Sequence, residues 1–297
     1  MIWRDFTLAD KAADVDNIGM IVPDGPATAA HVAVHYDELD IAYRRMWGDH
    51  VHHGYWRDGS ETVEQAVAAL VTLVEQRLAL KPGHKVCDIG CGYGATAADL
   101  LSRNDVSIVG LTLSAAQQRV AMDRGAGFKC LLRDWMDNGL ETGAYDRAYA
   151  IESSEHMADK ARFFAEARRI LRPDGRLVVC AWLEGEGVPS WQARHLLLPI
   201  CREGRLPSMG SRADYIELAS NAGFALAGYQ DISRQVRRTW SICLMRLLKG
   251  LVTDREIRRL AFGRTTQSRD FTLSLPRLII ALRTGAMRYG MFEWKAR

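Results

Sequence analysis

Glu152, Glu155 and His156 fall within five positions in Ile151-Glu152-Ser153-Ser154-Glu155-His156-Met157. Two carboxylates and an imidazole this close can hold a cation or move a proton. An adjacent carboxylate raises a histidine pKa and orients its ring, so His156 with Glu155 reads as an acid/base pair. Glu155 reads equally as a group that acts on the substrate itself. The bland alternative is a helix start at Ser154 or Glu155, with His156 in its first turn. Upstream, Gly90, Gly92 and Gly94 alternate in Asp88-Ile89-Gly90-Cys91-Gly92-Tyr93-Gly94. Glycines turn sharply and let a ligand lie against the backbone. The apolar run before them, Val86 to Ile89, reads as a buried strand, and Ala95 to Arg103 has helical character. Free N–H groups and the helix dipole at such a junction suit a ligand carrying negative charge.

Gly90, Gly92 and Ala95 also satisfy the dinucleotide pattern G-x-G-x-x-G/A. Gly94, however, comes one place too early for the third glycine. The acid expected on a ribose about 20 residues later is missing, because that stretch reads Gly110-Leu111-Thr112-Leu113-Ser114. These details favour S-adenosylmethionine (SAM) over NAD, and D-I-G-C-G-Y-G resembles motif I of class I SAM-dependent methyltransferases. Thr112 to Gln117 offers hydroxyl and amide groups where a nucleoside ribose lies in such folds. Ser114 as a simple helix cap explains itself but leaves Gln117 unused. Asp134 can accept from an adenine amino group while Trp135 covers the ring, or the two are a turn Asp and a buried Trp. A carboxylate at Glu152 can hold the sulfonium or amino group of SAM.

The positioning elements alternate. Helical spacing runs from His31 to Trp47 and from Glu61 to Leu80, the latter with Ser60 as N-cap and Lys81-Pro82-Gly83 as its stop. Strands are expected at 86–89, 107–111, 129–132, 145–151 and 176–183, with helices over 114–124 and 159–171. Arg172-Pro173-Asp174-Gly175 is a turn sequence. This alternation implies an α/β fold with a mostly parallel sheet and helices on both faces, whose ligands sit beyond the C-terminal strand ends. His50, His52 and His53 invite a metal reading, but no Cys or carboxylate cluster completes a site and neighbouring side chains diverge, so no metal is expected. The run His50 to Trp56 reads as a lid over a cleft.

The 297 residues allow one large domain or a domain with a cap, at 48 % hydrophobic and 25 % charged. No basic N-terminal region precedes an apolar run, and no stretch approaches 18 apolar residues. Six scattered cysteines suggest a reducing compartment, read as cytoplasmic. The net charge of +3 is uneven: residues 231–297 hold 15 Lys and Arg against 5 Asp and Glu. Such a region can meet an anionic substrate, a membrane surface or nucleic acid, or simply face solvent. No N-P-P-Y-type or RNA-module motif is present, so nucleic acid is not an expected partner.

W-G-D-H-V-H-H-G-Y-W (Trp47–Trp56), D-I-G-C-G-Y-G, G-L-T-L-S and E-S-S-E-H-M-A-D-K-A-R-F (Glu152–Phe163) together resemble the γ-tocopherol methyltransferase-like group. That group includes plant alkaloid N-methyltransferases and is similar to sterol methyltransferases and cyclopropane synthases. The resemblance spans roughly residues 32–297 and includes Arg288-Tyr289-Gly290-Met291-Phe292. It implies a Rossmann-like class I methyltransferase sheet, divided as an N-terminal helical lid (1–60), a SAM-binding core (61–232), a helical cap for substrate (233–285) and a last core strand (286–297). It implies SAM as methyl donor, no metal and a hydrophobic small-molecule acceptor of prenylated aromatic, terpenoid, alkaloid or quinol type, in secondary metabolism. Carried over by position, Asp88, Gly90, Gly92 and Gly94 hold the methionine part of SAM. Thr112, Leu113 and Gln117 match ribose contacts, Asp134 and Trp135 adenine contacts, and Tyr36 a tyrosine that closes over the cofactor. His156 matches a base or orienting residue, and His53, Trp56 and Trp240 are expected around the acceptor. An alkene acceptor on a prenyl chain would instead give a carbocation, which Trp56 and Trp240 could stabilise. Rival readings are an NAD-dependent oxidoreductase and an RNA-binding methyltransferase. Ala115-Ala116 stands where the plant enzymes have a proline, which loosens that helix start, and Thr239 to Leu244 follows the tocopherol enzymes only loosely.

Overall fold

Seven strands form in the order that the apolar runs set: β1 (Lys85–Ile89), β2 (Ser107–Thr112), β3 (Phe128–Leu132), β4 (Tyr145–Ile151), β5 (Leu171–Glu184), β6 (Phe224–Asp231) and β7 (Met287–Ala296). The computed structural model describes residues 19–297 except 126, 256 and 259–265. The first 18 residues of the expected lid and eight residues of the expected cap therefore lie outside the described residues. The sheet order is β3-β2-β1-β4-β5-β7-β6, parallel except where β7 runs antiparallel to β5 and β6. A parallel strand covered on both faces needs no hydrophobic alternation, and in β1 Val86, Cys87, Asp88 and Ile89 are all buried. Arg172 to Gly175 does not end an element. It bulges within β5, where the pairing jumps from Tyr145 with Leu171 to Arg147 with Arg176, and Asp174 takes φ 63° at the bend.

Helices α3 (Val63–Leu78) and α4 (Ala95–Arg103) cover one face, with Leu70, Val71, Val74, Ala97 and Leu100 packed on Val86, Ile108 and Val178. The helix α6 (Lys160–Ile170) covers the other, through Phe163, Phe164, Ala167 and Ile170. Each of the Leu, Val, Ile and Phe side chains removed from water contributes roughly 1.5–3 kcal/mol. The cap of α3 is Thr62, not Ser60. Thr62 and Gln65 form a reciprocal capping box, while Glu61 turns back to accept from the N–H groups of Arg57 and Gly59. The expected single helix from His31 is two, α1 (Ala29–Glu38) and α2 (Asp40–Trp47). Leu39 between them leaves helical geometry (ψ 6°) and is buried. The helix Arg238–Thr253, the helix Thr266–Thr284 and Leu196 to Cys201 enclose a second apolar cluster that includes Trp240, Leu247, Leu275 and Leu278.

Candidate active site

The glycine turn after β1 shapes the floor of a cleft at the C-terminal strand ends. Gly92 has φ 53°, and a Cβ added there would meet no atom of the protein within 4 Å, so this face opens into the cleft. Gly90 (φ 81°) also lines the cleft, but its constraint comes from behind: a Cβ would collide with Ser153. Gly94 lies outside the lining. It begins α4 at φ 73°, and a side chain there would strike Phe128. Asp88 is likewise beneath the turn and not in the lining. It accepts from the Tyr149 hydroxyl at 2.8 Å, and burial pushes its carboxyl up to about 7.

After β2, Thr112, Leu113 and Gln117 line the cleft. The Thr112 hydroxyl donates to Gln117 Oε1 at 2.7 Å, which fixes the amide. The helix α5 (Ala115–Ala121) is not loose at its start. Ser114 Oγ accepts from the Gln117 N–H, and Asp37 of α1 accepts from the Ala116 N–H at 3.1 Å and from the Ser114 hydroxyl at 2.5 Å. The lid is thereby tied to the β2–α5 turn. Trp135 lines the cleft, with its indole N–H bonded to the Phe163 carbonyl. Asp134 is outside the lining and accepts from the Met136 N–H at 2.9 Å, which is the turn reading of that residue.

Beyond β4 the backbone turns at Glu152, which adopts φ 52°, a left-handed geometry uncommon for a non-glycine residue. Its carboxylate accepts four bonds: the His53 N–H at 2.7 Å, the His53 ring Nδ1 at 2.8 Å, the Tyr289 hydroxyl at 2.8 Å and the Trp182 indole at 3.2 Å. Burial pushes this carboxyl up, but the His53 ring and His52 outweigh it, and the group stays below its usual range. His53 thus stands behind Glu152, not in the acceptor lining where the sequence put it. The three histidines do not converge on one point: the His50 and His52 rings bond each other, His52 also bonds the His53 carbonyl, and the His53 ring turns to Glu152.

Glu155 and His156 do not pair with each other. Glu155 accepts from the Trp182 N–H at 2.7 Å and from the Ser154 hydroxyl at 3.1 Å. Burial, with the neighbouring Glu152 charge adding to it, pushes its carboxyl up to about 7 against the Trp182 bond. His156 places Nδ1 3.3 Å from the Arg205 carbonyl and Nε2 2.9 Å from the Tyr36 hydroxyl. A carbonyl only accepts, so Nδ1 carries the proton and Nε2 accepts from Tyr36. Burial pushes His156 down to about 4, the reverse of the rise expected from Glu155. Ser154–His156 forms a single 3₁₀ turn, but the next helix begins only at Lys160 with Asp159 as its cap, so the bland reading of a helix start at Ser154 or Glu155 does not hold.

A second pocket opens against the first. Tyr36, Val51, Glu152 and His156 belong to both, and Tyr43, Trp47, Glu155, Trp182, Leu206 and Trp240 close the far side. Trp240 meets Trp47 and Trp182 edge to face at 5.7 and 5.5 Å. Trp56 is not part of this wall. Its ring lies under Arg238, 4.9 Å from the guanidinium, and its indole is 3.4 Å from the Thr239 hydroxyl. Tyr43, Trp47, Trp182 and Leu206 were not singled out from the sequence. Trp182 had a signal, since it lies near the C-terminal end of a sheet strand. Tyr43 and Trp47 are on a helix whose inward face shows only once Leu39 breaks it, and Leu206 had no local signal.

The sequence model of the family described as mycolic acid cyclopropane synthetase matches residues 26–257. A tocopherol O-methyltransferase from Arabidopsis thaliana is 28 % identical over 287 residues, which is 88 % of this chain and 80 % of that protein. The methyltransferase GfsG of Streptomyces halstedii is 33 % identical over 221 residues, 72 % of this chain and 79 % of that protein. Among solved structures, the mycolic acid cyclopropane synthase CmaA1 with S-adenosylhomocysteine superposes with a TM-score of 0.80. It covers 92 % of this chain and 99 % of its own, at 23 % identity, and so shares the fold. The open glycine face, the charged Glu152 and the clefts that meet at Tyr36 and His156 suit a sulfonium nucleoside with a separate acceptor. The chain belongs to the mycolic acid cyclopropane synthetase family and is a SAM-dependent methyltransferase.

Proposed function

We propose that the enzyme methylates a hydroxyl group of a hydrophobic small molecule of the prenylated aromatic, terpenoid, alkaloid or quinol type, in cytoplasmic secondary metabolism. The observation that carries this reading is the junction of the two pockets. An aromatic-walled pocket for the acceptor ends on a Tyr36–His156 hydrogen bond that also faces the cofactor cleft. The Arabidopsis relative, named for O-methylation of tocopherol, supports the choice of oxygen. SAM, when bound, supplies a methyl group made electrophilic by its sulfonium.

The chain's own residues align, dry and deprotonate. Gly90, Gly92, Thr112, Leu113, Gln117 and Trp135 would hold the cofactor, and Tyr36 would close over it. The ionised Glu152, fixed by four donors, sets a negative charge at the junction, where a cation is favoured. Holding reactants in line without water supplies much of the rate. The acceptor hydroxyl gives its proton to His156 Nε2, directly or through the Tyr36 hydroxyl, which already points at that nitrogen. The Arg205 carbonyl keeps the ring in the accepting tautomer. The cap over residues 233–285 would choose the acceptor, since Trp240 reaches the pocket from it.

Tyr43, Trp47, Trp182 and Trp240 also favour a second reading, methylation of a prenyl alkene, because aromatic faces attract a carbocation. A panel of prenylated phenols, quinols, alkaloids and prenyl alkenes, assayed with methyl-labelled SAM, separates the two. Label on the oxygen of a phenol or quinol is the expected result. Label on chain carbon selects the alkene reading, and transfer only to polar acceptors overturns both.

A further inference from the structure

The helix Arg238–Thr253 presents two contrasting faces. Thr239, Trp240, Cys243, Leu247 and Gly250 are buried, and Trp240 reaches the acceptor pocket. On the outside, steps of three and four residues put Arg238, Ser241, Met245, Leu248 and Val252 on one line. Met245, Leu248 and Val252 are 60, 56 and 79 % exposed. Single exposed apolar residues are ordinary, but a contiguous row marks a contact surface.

The line starts in a basic groove. Arg57, Arg234, Arg237, Arg238 and Arg283 line it, with Asp58 as the lone carboxylate, and Ile279 and Ser241 complete its wall. Arg238 rests on Trp56. The other four arginines have no ion-pair partner among the described residues, whereas Arg45, Arg176 and Arg277 elsewhere each hold a carboxylate. Ile280, beside the groove on the neighbouring helix, is 46 % exposed.

We propose that this face docks on an anionic lipid bilayer, with the arginines on lipid phosphates and Met245, Leu248 and Val252 in the headgroup–acyl boundary. An aliphatic stripe beside unpaired basic groups is what an interfacial helix requires. The aliphatic stripe suits a protein partner less well, because protein hot spots favour Trp, Tyr and Arg and under-use Leu and Val. The inference draws its purpose from the hydrophobic-acceptor reading: the helix that meets the lipid also carries Trp240 into the pocket, so an acceptor dissolved in the membrane has a short way in.

The test is flotation of the full chain with phosphatidylglycerol-containing vesicles and with pure phosphatidylcholine vesicles, without acceptor. Binding should be at least about tenfold tighter to the anionic vesicles and weaken with salt. Arg234→Glu with Arg237→Glu should lower vesicle affinity at least about 30-fold, since each basic residue at such a surface is worth roughly fivefold. Met245→Glu with Leu248→Glu should lower it as well, while both double variants keep the SAM affinity of the parent, which reports a folded core. Equal flotation with both vesicle types, or flotation untouched by either double variant, overturns the proposal. So does binding to poly-glutamate with no flotation, which would assign the groove to an acidic protein. Flotation does not measure methyl transfer, so a failed acceptor reading would leave it intact and appear only in the acceptor panel.

Discussion

His156 sits in the structure as a half-buried, neutral imidazole held by a carbonyl on one side and a phenol on the other. A group held near 4 is fully ready to accept a proton at neutral pH, and the cost falls on the imidazolium it becomes. The rate should therefore rise with pH through about 4, as His156 deprotonates, and be flat from there to neutrality. His156→Ala should lower kcat by about 10²–10⁴-fold with SAM affinity little changed. A kcat profile measured on parent and variant decides the matter. An ascending limb near 7 that disappears in Glu155→Gln would move the proton acceptor to Glu155, whose buried carboxyl is pushed up to about 7. The sequence displayed both groups but paired them wrongly. Adjacency along the chain brings side chains together only if the backbone turns them so, and here Glu155 faces the Trp182 backbone while His156 faces Tyr36.

At the scale of elements, the lid is joined to the nucleotide side of the sheet by carboxylates, Asp37 among them, with Asp40 on Tyr93 and Asp49 on Arg124. Asp37 completes the start of α5 through the Ala116 N–H and the Ser114 hydroxyl, where no proline stiffens the turn. Asp37→Ala should free both α1 and that turn and weaken SAM binding by about threefold to tenfold, the scale of a lost helix cap. The kcat at saturating SAM should stay close to that of the parent. Calorimetric titration of SAM into the variant checks this, and an unchanged affinity would leave the contact merely structural. The contact joins residues 77 and 79 positions apart, so local pattern could not reveal it. What the pattern did reveal were elements with strong periodicity and punctuation, such as α6 and β1 to β4, because burial of one face or of both writes itself into neighbouring residues.

For the whole molecule, two apolar clusters matter more than one. The sheet and its covering helices bury one set, and the segments around Trp240, Leu247, Leu275 and Leu278 bury another. The cap shares that second cluster with residues 196–209, while the residues that line the cofactor cleft belong to the sheet and the lid. Exchanging residues 233–285 for the cap of a relative should change the preferred acceptor and leave SAM affinity within about threefold, because every residue that lines the cofactor cleft lies outside the exchanged segment. Loss of SAM binding with an unchanged acceptor preference would show that the segment supports the sheet instead.

Sequence alone determined the alternating architecture, the strand–glycine–helix junction at Gly90 and Gly92, and SAM over NAD. Each of these depends on residues within one or two elements, where spacing and backbone freedom suffice. It also brought Glu152, Glu155 and His156 into consideration through their clustering, Tyr36 through motif resemblance and Trp240 as an aromatic face able to meet a cation. Only the tertiary structure decided what each of them faces. Glu152 collects donors from the His53 loop, β5 and β7, which removes His53 from the acceptor wall. Trp56 is buried beneath Arg238, away from the acceptor wall, and Gly94 answers to Phe128 rather than to a ligand. Burial sent His156 down and Glu155 up. Desolvation and long-range hydrogen bonds belong to the packed interior, and no local stretch of sequence contains them.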